Sequence, residues 1–143
     1  MENVRYGVIG IGNMGTSHSG WLAGGKIPGA TLTAVCDIDE KRRAWAKENL
    51  PEVTVFEDYK ELLDSKLVDA VIIAVPHYLH PEMAIESLKR NINTMVEKPA
   101  GVYASQIREM NAEAEKHPDV KFAMMFNQRT NPLYQKVKEI LDA

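Results

Sequence analysis

The sequence predicts an α/β domain built on a doubly wound, mostly parallel sheet of about six strands, with helices on both faces. Three observations predict it. Apolar, β-rich runs alternate with amphipathic helical stretches from end to end. The most apolar run, Ala70–Val75, shows no polar alternation, as expected of a strand covered on both faces. Directly after the first run, Gly10-Ile11-Gly12-Asn13-Met14-Gly15 spells GxGxxG.

Taken in order, Val4–Ile9 is the first strand, closed by glycines, and a helix through Leu22 follows the motif. Thr31–Cys36 is the second strand, closed by Asp37, and Asp39 is the N-cap of a helix through Lys47. Val53–Phe56 is the third, after which Asp58 caps a helix over Lys60–Leu63. Ala70–Val75 is the fourth and stops at Pro76. Leu79, Met83 and Leu88, with Ile85 beside them, then share one helical face. Thr94–Val96 is the fifth and runs into Glu97-Lys98-Pro99. Ile107, Met110 and Ala114 mark the next helix, and Lys121–Phe126 is the sixth strand. Such alternation implies βαβ units with right-handed crossovers. After Asn131-Pro132, the residues Leu133, Val137, Ile140 and Leu141 begin another amphipathic helix.

Composition narrows the class. The chain has 143 residues, 45% hydrophobic and 26% charged, with a net charge of −3. That balance gives no reason to expect nucleic acid or an anionic membrane as partner. The longest apolar run is too short to span a bilayer. MENVRYGVIG carries an acid at position 2 and no long apolar stretch, so a signal peptide is not expected. One cysteine, Cys36, excludes an internal disulfide and a multi-cysteine metal site, and a cytoplasmic protein is expected.

The glycine motif carries the chemistry. The first glycine allows a tight turn, the second lets backbone approach a pyrophosphate, and the third lets helix and strand pack closely. The helix N-terminus offers free N–H groups and the positive end of its dipole to phosphates. Asp37 ends the second strand about 20 positions on, where a carboxylate accepts bonds from a ribose 2′-hydroxyl and repels a 2′-phosphate. The motif therefore points to a Rossmann domain that takes NAD in preference to NADP. Lys41-Arg42-Arg43 on the following helix is either a solvated face or a set of cations for that phosphate.

Ligands of such sheets sit at the carboxyl ends of the strands. Pro76-His77, Glu97-Lys98-Pro99 and Asn127-Gln128-Arg129 all fall there, on the same edge as the glycines. A lysine in that place donates hydrogen bonds to a substrate oxygen, and Pro99 restricts Lys98 to an extended backbone. A cis Lys98–Pro99 bond would hold it more sharply still. Glu97 is open to three readings: pairing with Lys98, binding a ribose hydroxyl, or standing as a plain solvent-exposed acid. His18 and His80 sit near helix starts, where a lone histidine is more often a capping or packing residue. Cys36 reads as a small buried apolar residue. There is no nucleophile elbow and no P-loop lysine after the glycines.

Together these motifs (GxGxxG with His18 shortly after, then CDID, AVPHYLH, VEKPAG and MFNQRTNP) resemble the N-terminal domain of the Gfo/Idh/MocA oxidoreductases, over Val4 to Pro132. Glucose–fructose oxidoreductase and inositol 2-dehydrogenase belong to that family. The resemblance implies that Gly10, Gly12 and Gly15 hold the pyrophosphate and that Asp37 is the acid after the second strand. It sets Pro76 beside the nicotinamide, Glu97 near the nicotinamide ribose, and Lys98 near nicotinamide and substrate. Asn127 and Arg129 fall at the floor of the cleft.

The candidate cofactor residues are thus Gly10, Ile11, Gly12, Asn13, Met14, Gly15, Asp37, Pro76, His80, Glu97 and Asn127. Lys98 is the catalytic candidate, Arg129 joins it on the substrate side, and no metal is expected. Residues 1–130 would form the dinucleotide-binding domain. Residues 131–143 would open the connection to a second domain that this chain lacks, which would carry most of the substrate pocket and the homo-oligomer interface. The intact protein would then move hydride between nicotinamide and a hydroxyl of a sugar, cyclitol or related polyol, and this chain alone would turn over little. Two alternatives stand beside that reading: an NAD-dependent glycosidase using transient oxidation, and a dinucleotide-binding module without catalysis.

Overall fold

The computed structural model describes residues 3–143. One sheet holds β1 (Val4–Ile9), β2 (Ala30–Cys36), β3 (Thr54–Phe56), β4 (Ala70–Ile73), β5 (Asn93–Val96) and β6 (Phe122–Met124). Its order is β3-β2-β1-β4-β5-β6 and every pair is parallel. The chain winds outward from β1 to β3, crosses over, and winds the other way from β4 to β6. The direction reverses between β1 and β4, and a sheet of this kind opens its ligand crevice at the carboxyl ends of those strands.

Helices cover both faces, and the strand residues divide accordingly. On one side Val8, Leu32, Val35 and Ile72 pack with Leu22 of α1 (Asn13–Ala23) and Ala46 of α2 (Glu40–Asn49). On the other, Ile9, Ala34, Val71, Ile73 and Val96 meet residues from three helices. These are Leu62 and Leu63 of α3 (Tyr59–Asp64), Met83 and Ala84 of α4 (His80–Lys89), and Met110 of α5 (Ala104–Glu115). A bulge interrupts the alternation in β2: Tyr6 pairs with Leu32, but Gly7 pairs with Ala34. Thr33 is the extra residue, and its hydroxyl donates to the Leu67 carbonyl at 2.8 Å. The bulge lets Leu32 and Val35 face the same core.

The predicted caps Asp39 and Asp58 form, and Asn131 caps a further helix start. The Asp39 carboxylate accepts from the Lys41 N–H, Asp58 from Lys60, and Asn131 from Leu133 at the start of α6 (Pro132–Leu141). Several boundaries differ. The fourth strand ends at Ile73 rather than Val75, because the chain turns away at Ala74 after its N–H bonds the Ile9 carbonyl. The third begins at Thr54, since Val53 N–H closes a turn onto Leu50. The sixth spans only Phe122–Met124, and Phe126 already leads into the 3-10 turn Asn127–Thr130. Leu79 lies in a 3-10 turn before α4, not on its face. The Lys98–Pro99 peptide is cis. Among the described residues no helix is long and apolar enough to cross a membrane.

Close approach of α1 to β1 depends on Gly15. A Cβ there would lie 1.8 Å from the Gly10 carbonyl oxygen, a backbone atom that no rotamer change can move. Gly10 itself has a φ of +86°, in the left-handed region. Gly15→Ala is therefore expected to lower the melting temperature by at least about 5 °C, as overpacking against fixed backbone costs ~1–3 kcal/mol. A circular-dichroism melt checks this; an unchanged midpoint would contradict the packing described.

Candidate functional site

A cavity of about 1090 Å³ opens at the crevice. Gly10, Gly12, Asn13, Met14, Asp37 and Pro76, all named from the sequence, lie on its wall. Gly12 is the N-cap of α1, and no side chain caps that terminus. The bare end contrasts with α2, α3 and α6, whose Asp or Asn caps occupy the first amides. A Cβ on Gly12 would meet nothing within 4 Å. The glycine is therefore not required by packing; it leaves clear space in front of free N–H donors. A pyrophosphate fits that cradle.

Asp37 lies beside it. One carboxylate oxygen accepts the Ile11 N–H at 2.8 Å, and the other accepts the Asp39 N–H at 2.9 Å. Ile11 is fully buried, so it serves the site through its backbone. The carboxylate thereby ties the end of β2 to the glycine loop and keeps lone pairs for further donors. Arg43, from the ambiguous basic run, is already engaged. Its Nη1 donates to the Asp37 and Ile38 carbonyls and its Nη2 pairs with Glu57 at 2.9 Å.

The rest of this wall is acidic and aromatic. Glu57, Asp58, Glu61 and Glu82 line it with Tyr59, Tyr78 and Ile38. The Tyr59 hydroxyl donates to Glu82 at 2.7 Å, and burial together with that bond pushes its ionisation well above the ordinary phenol range. Cys36 also reaches the wall, and burial, aided by the Asp37 charge, pushes its thiol up to about 12, which leaves it unreactive near neutrality. Glu57 directly follows β3 and was recoverable by the same strand-end rule that found Asp37. Nothing in the periodicity pointed to Tyr78.

The other predicted residues lie off this wall. Glu97 is 5% exposed, and its carboxylate is spoken for by His18 Nε2 at 2.7 Å and the Lys98 N–H at 3.1 Å. It is not the solvent-exposed acid that was one of its readings. His18 is buried on α1, with its ring edge-on to Trp21. His80 was expected among the cofactor ligands, but it is fully buried and both ring nitrogens lie 2.8 Å from backbone carbonyls, Pro99 and Val75. No polar atom of it remains for a ligand. It fastens the end of β4 to the turn after β5, the packing role weighed for it from the sequence. Lys98 is exposed beside these buried groups. Asn127 and Arg129 lie in the exposed turn after β6, with the Arg129 guanidinium 4.8 Å over the Phe126 ring.

A bare helix N-terminus, a strand-end acid and a topological switch point define a dinucleotide-binding domain of the Rossmann class. The family described as "Oxidoreductase family, NAD-binding Rossmann fold" (GFO_IDH_MocA) matches residues 4–126, and the chain belongs to it. Its cofactor class is accordingly NAD. The inositol 2-dehydrogenase of Rubrobacter xylanophilus is 36% identical over 139 residues, covering 96% of this chain and 39% of that protein. Myo-inositol 2-dehydrogenase of Thermotoga maritima is 32% identical, covering 97% and 41%. The crystal structure of scyllo-inositol dehydrogenase from Lactobacillus casei with bound NAD(H) and scyllo-inositol superimposes with a TM-score of 0.92 at 28% identity, over 99% of this chain and 41% of that one. Myo-inositol 2-dehydrogenase from Lactobacillus plantarum gives 0.92 at 33%, over the same shares. The chain thus spans about two fifths of the length of these relatives.

The buried His18–Glu97 contact yields a direct test. His18→Leu leaves the Glu97 carboxylate buried with one backbone partner, at an expected cost of about 2–3 kcal/mol in urea unfolding. Adding Glu97→Leu should recover much of that loss, because removing both polar ends of a buried bond is far cheaper than removing one. Two losses that simply add would contradict a direct bond.

Proposed function

We propose that the chain is the cofactor half of an NAD-dependent dehydrogenase acting on a cyclitol or related polyol. The bare α1 N-terminus at Gly12, facing open space beside Asp37, carries the reading. The amides at Gly12, Asn13 and Met14 would receive the pyrophosphate. Asp37 would accept the adenosine ribose hydroxyls while its bond to Ile11 holds the loop in place. Pro76, at the far end of the same wall, would flank the nicotinamide ring. Bound nicotinamide supplies the hydride acceptor.

Lys98 would donate hydrogen bonds to the reacting oxygen, its backbone held by Glu97 on one side and by the His80–Pro99 bond on the other. Asn127 and Arg129 would contact substrate from the neighbouring strand end. The inositol dehydrogenases among the relatives support the polyol assignment. Residues 131–143 would lead into a second domain carrying the remaining substrate contacts and a homo-oligomer interface. A cytoplasmic setting goes with this reading.

Calorimetric titration of the chain with NAD and with NADP tests it. Saturable binding with NAD preferred is expected. Gly12→Ala should weaken NAD by about tenfold or more, since each tenfold is only ~1.4 kcal/mol, with no change in melting temperature. Asp37→Ala should weaken NAD and narrow the preference over NADP. A folded chain that binds neither dinucleotide would refute the reading.

A further inference from the structure

We propose that Glu57 is a second determinant of cofactor choice, acting through Arg43. The inference rests on the NAD site proposed above and extends it to a residue that the glycine and acid motifs do not include.

Asp37 and Glu57 emerge side by side. Their strands are parallel neighbours with Cys36 opposite Phe56, and the Asp37 N–H bonds the Phe56 carbonyl at 3.2 Å. The two acids thus leave the sheet at the same level, and both line the cavity. A 2′-phosphate on the ribose held by Asp37 would enter the space between them. Among the described residues of that wall there is no lysine, arginine or histidine to receive it.

Arg43 is a cation at the edge of that space, and the structure shows why it does not serve. Arg43 Nη1 is fixed to the Asp37 and Ile38 carbonyls, so its guanidinium is moored at the end of β2. Nη2 is turned to Glu57. Guanidinium is the side chain best matched to a phosphate, with parallel donors in one plane. Glu57 occupies the donor that would face a phosphate and adds a negative charge of its own. The Glu57 side chain is 70% exposed, so the pair is weak as a stabilising bond and can be removed without disturbing the core. Asp37 therefore decides whether the ribose hydroxyls are bound, and Glu57 decides whether Arg43 is available to replace them with a phosphate contact. Removing Asp37 alone loses NAD without gaining NADP.

The test is calorimetric titration of the wild-type chain, Asp37→Ser, Glu57→Ala, Asp37→Ser/Glu57→Ala and Asp37→Ser/Glu57→Gln with NAD and NADP. Serine keeps an acceptor for the loop. Glutamine removes the charge but keeps an acceptor for Nη2, which separates charge removal from the release of Arg43. Glu57→Ala on its own should leave NADP disfavoured, because Asp37 still repels the 2′-phosphate. The Asp37→Ser/Glu57→Ala chain should bind NADP about tenfold more tightly than Asp37→Ser, with glutamine giving a smaller gain. Equal NADP affinities for Asp37→Ser and Asp37→Ser/Glu57→Ala would overturn the inference. Equal gains from alanine and glutamine would overturn the role of Arg43. In both cases wild-type NAD binding would leave the functional reading standing. A wild-type chain that ignores NAD would refute that reading and this inference together.

Discussion

The bond from the Ile11 N–H to the Asp37 carboxylate is the constraint on which the site depends. It joins two pieces of chain that sequence keeps apart, the glycine loop after β1 and the end of β2. With that bond in place the loop cannot rise into the crevice, and the first amides of α1 stay aimed at the cavity. Gly15 closes the same corner from below, where α1 touches the Gly10 carbonyl too closely for any side chain. The acid thus has two tasks. It shapes the loop in the free protein, and its remaining lone pairs are free to accept further hydrogen bonds. A single carboxylate can do both because its two oxygens provide about four acceptor positions, and the loop and Asp39 take only two.

Much of this was legible in the sequence, for identifiable reasons. The glycine motif, the acid after β2 and the caps Asp39 and Asp58 are local devices, whose partners lie within a few residues or at a fixed distance along the chain. Strand ends were less legible. β4 and β6 are shorter than their apolar runs because Val75 and Phe126 continue into turns that still bury part of their surface. Contacts across the sheet were not legible at all. Nothing at position 80 announces that its ring meets the carbonyls of Val75 and Pro99, and nothing at position 97 announces His18. Those partners are fixed by topology. β4 and β5 are neighbours, and α1 packs on β1 and β2.

The two histidines give the Glu97-Lys98-Pro99 turn its character. His18 reaches it from α1, whose uncapped first turn lines the crevice, and His80 reaches it from the start of α4, after the 3-10 turn that follows Pro76. An acid, a base and a proline can follow a buried strand because each has a different task. Glu97 is drawn inward to a buried partner, Pro99 offers its carbonyl to His80, and the Lys98 side chain is left exposed. The arrangement connects the two ends of the crevice through packed, hydrogen-bonded side chains. It holds the lysine beside the cleft without placing it on the dinucleotide wall.

The central claim is that the uncapped start of α1 is the pyrophosphate seat. An amide-resolved NMR titration of the chain with NAD tests it most directly. The largest shifts should fall on the backbone amides of Gly12, Asn13 and Met14, with Ile11 and Asp39 following as the Asp37 carboxylate adjusts to the ribose. Saturable binding that left those amides unmoved, with shifts gathered elsewhere, would contradict it.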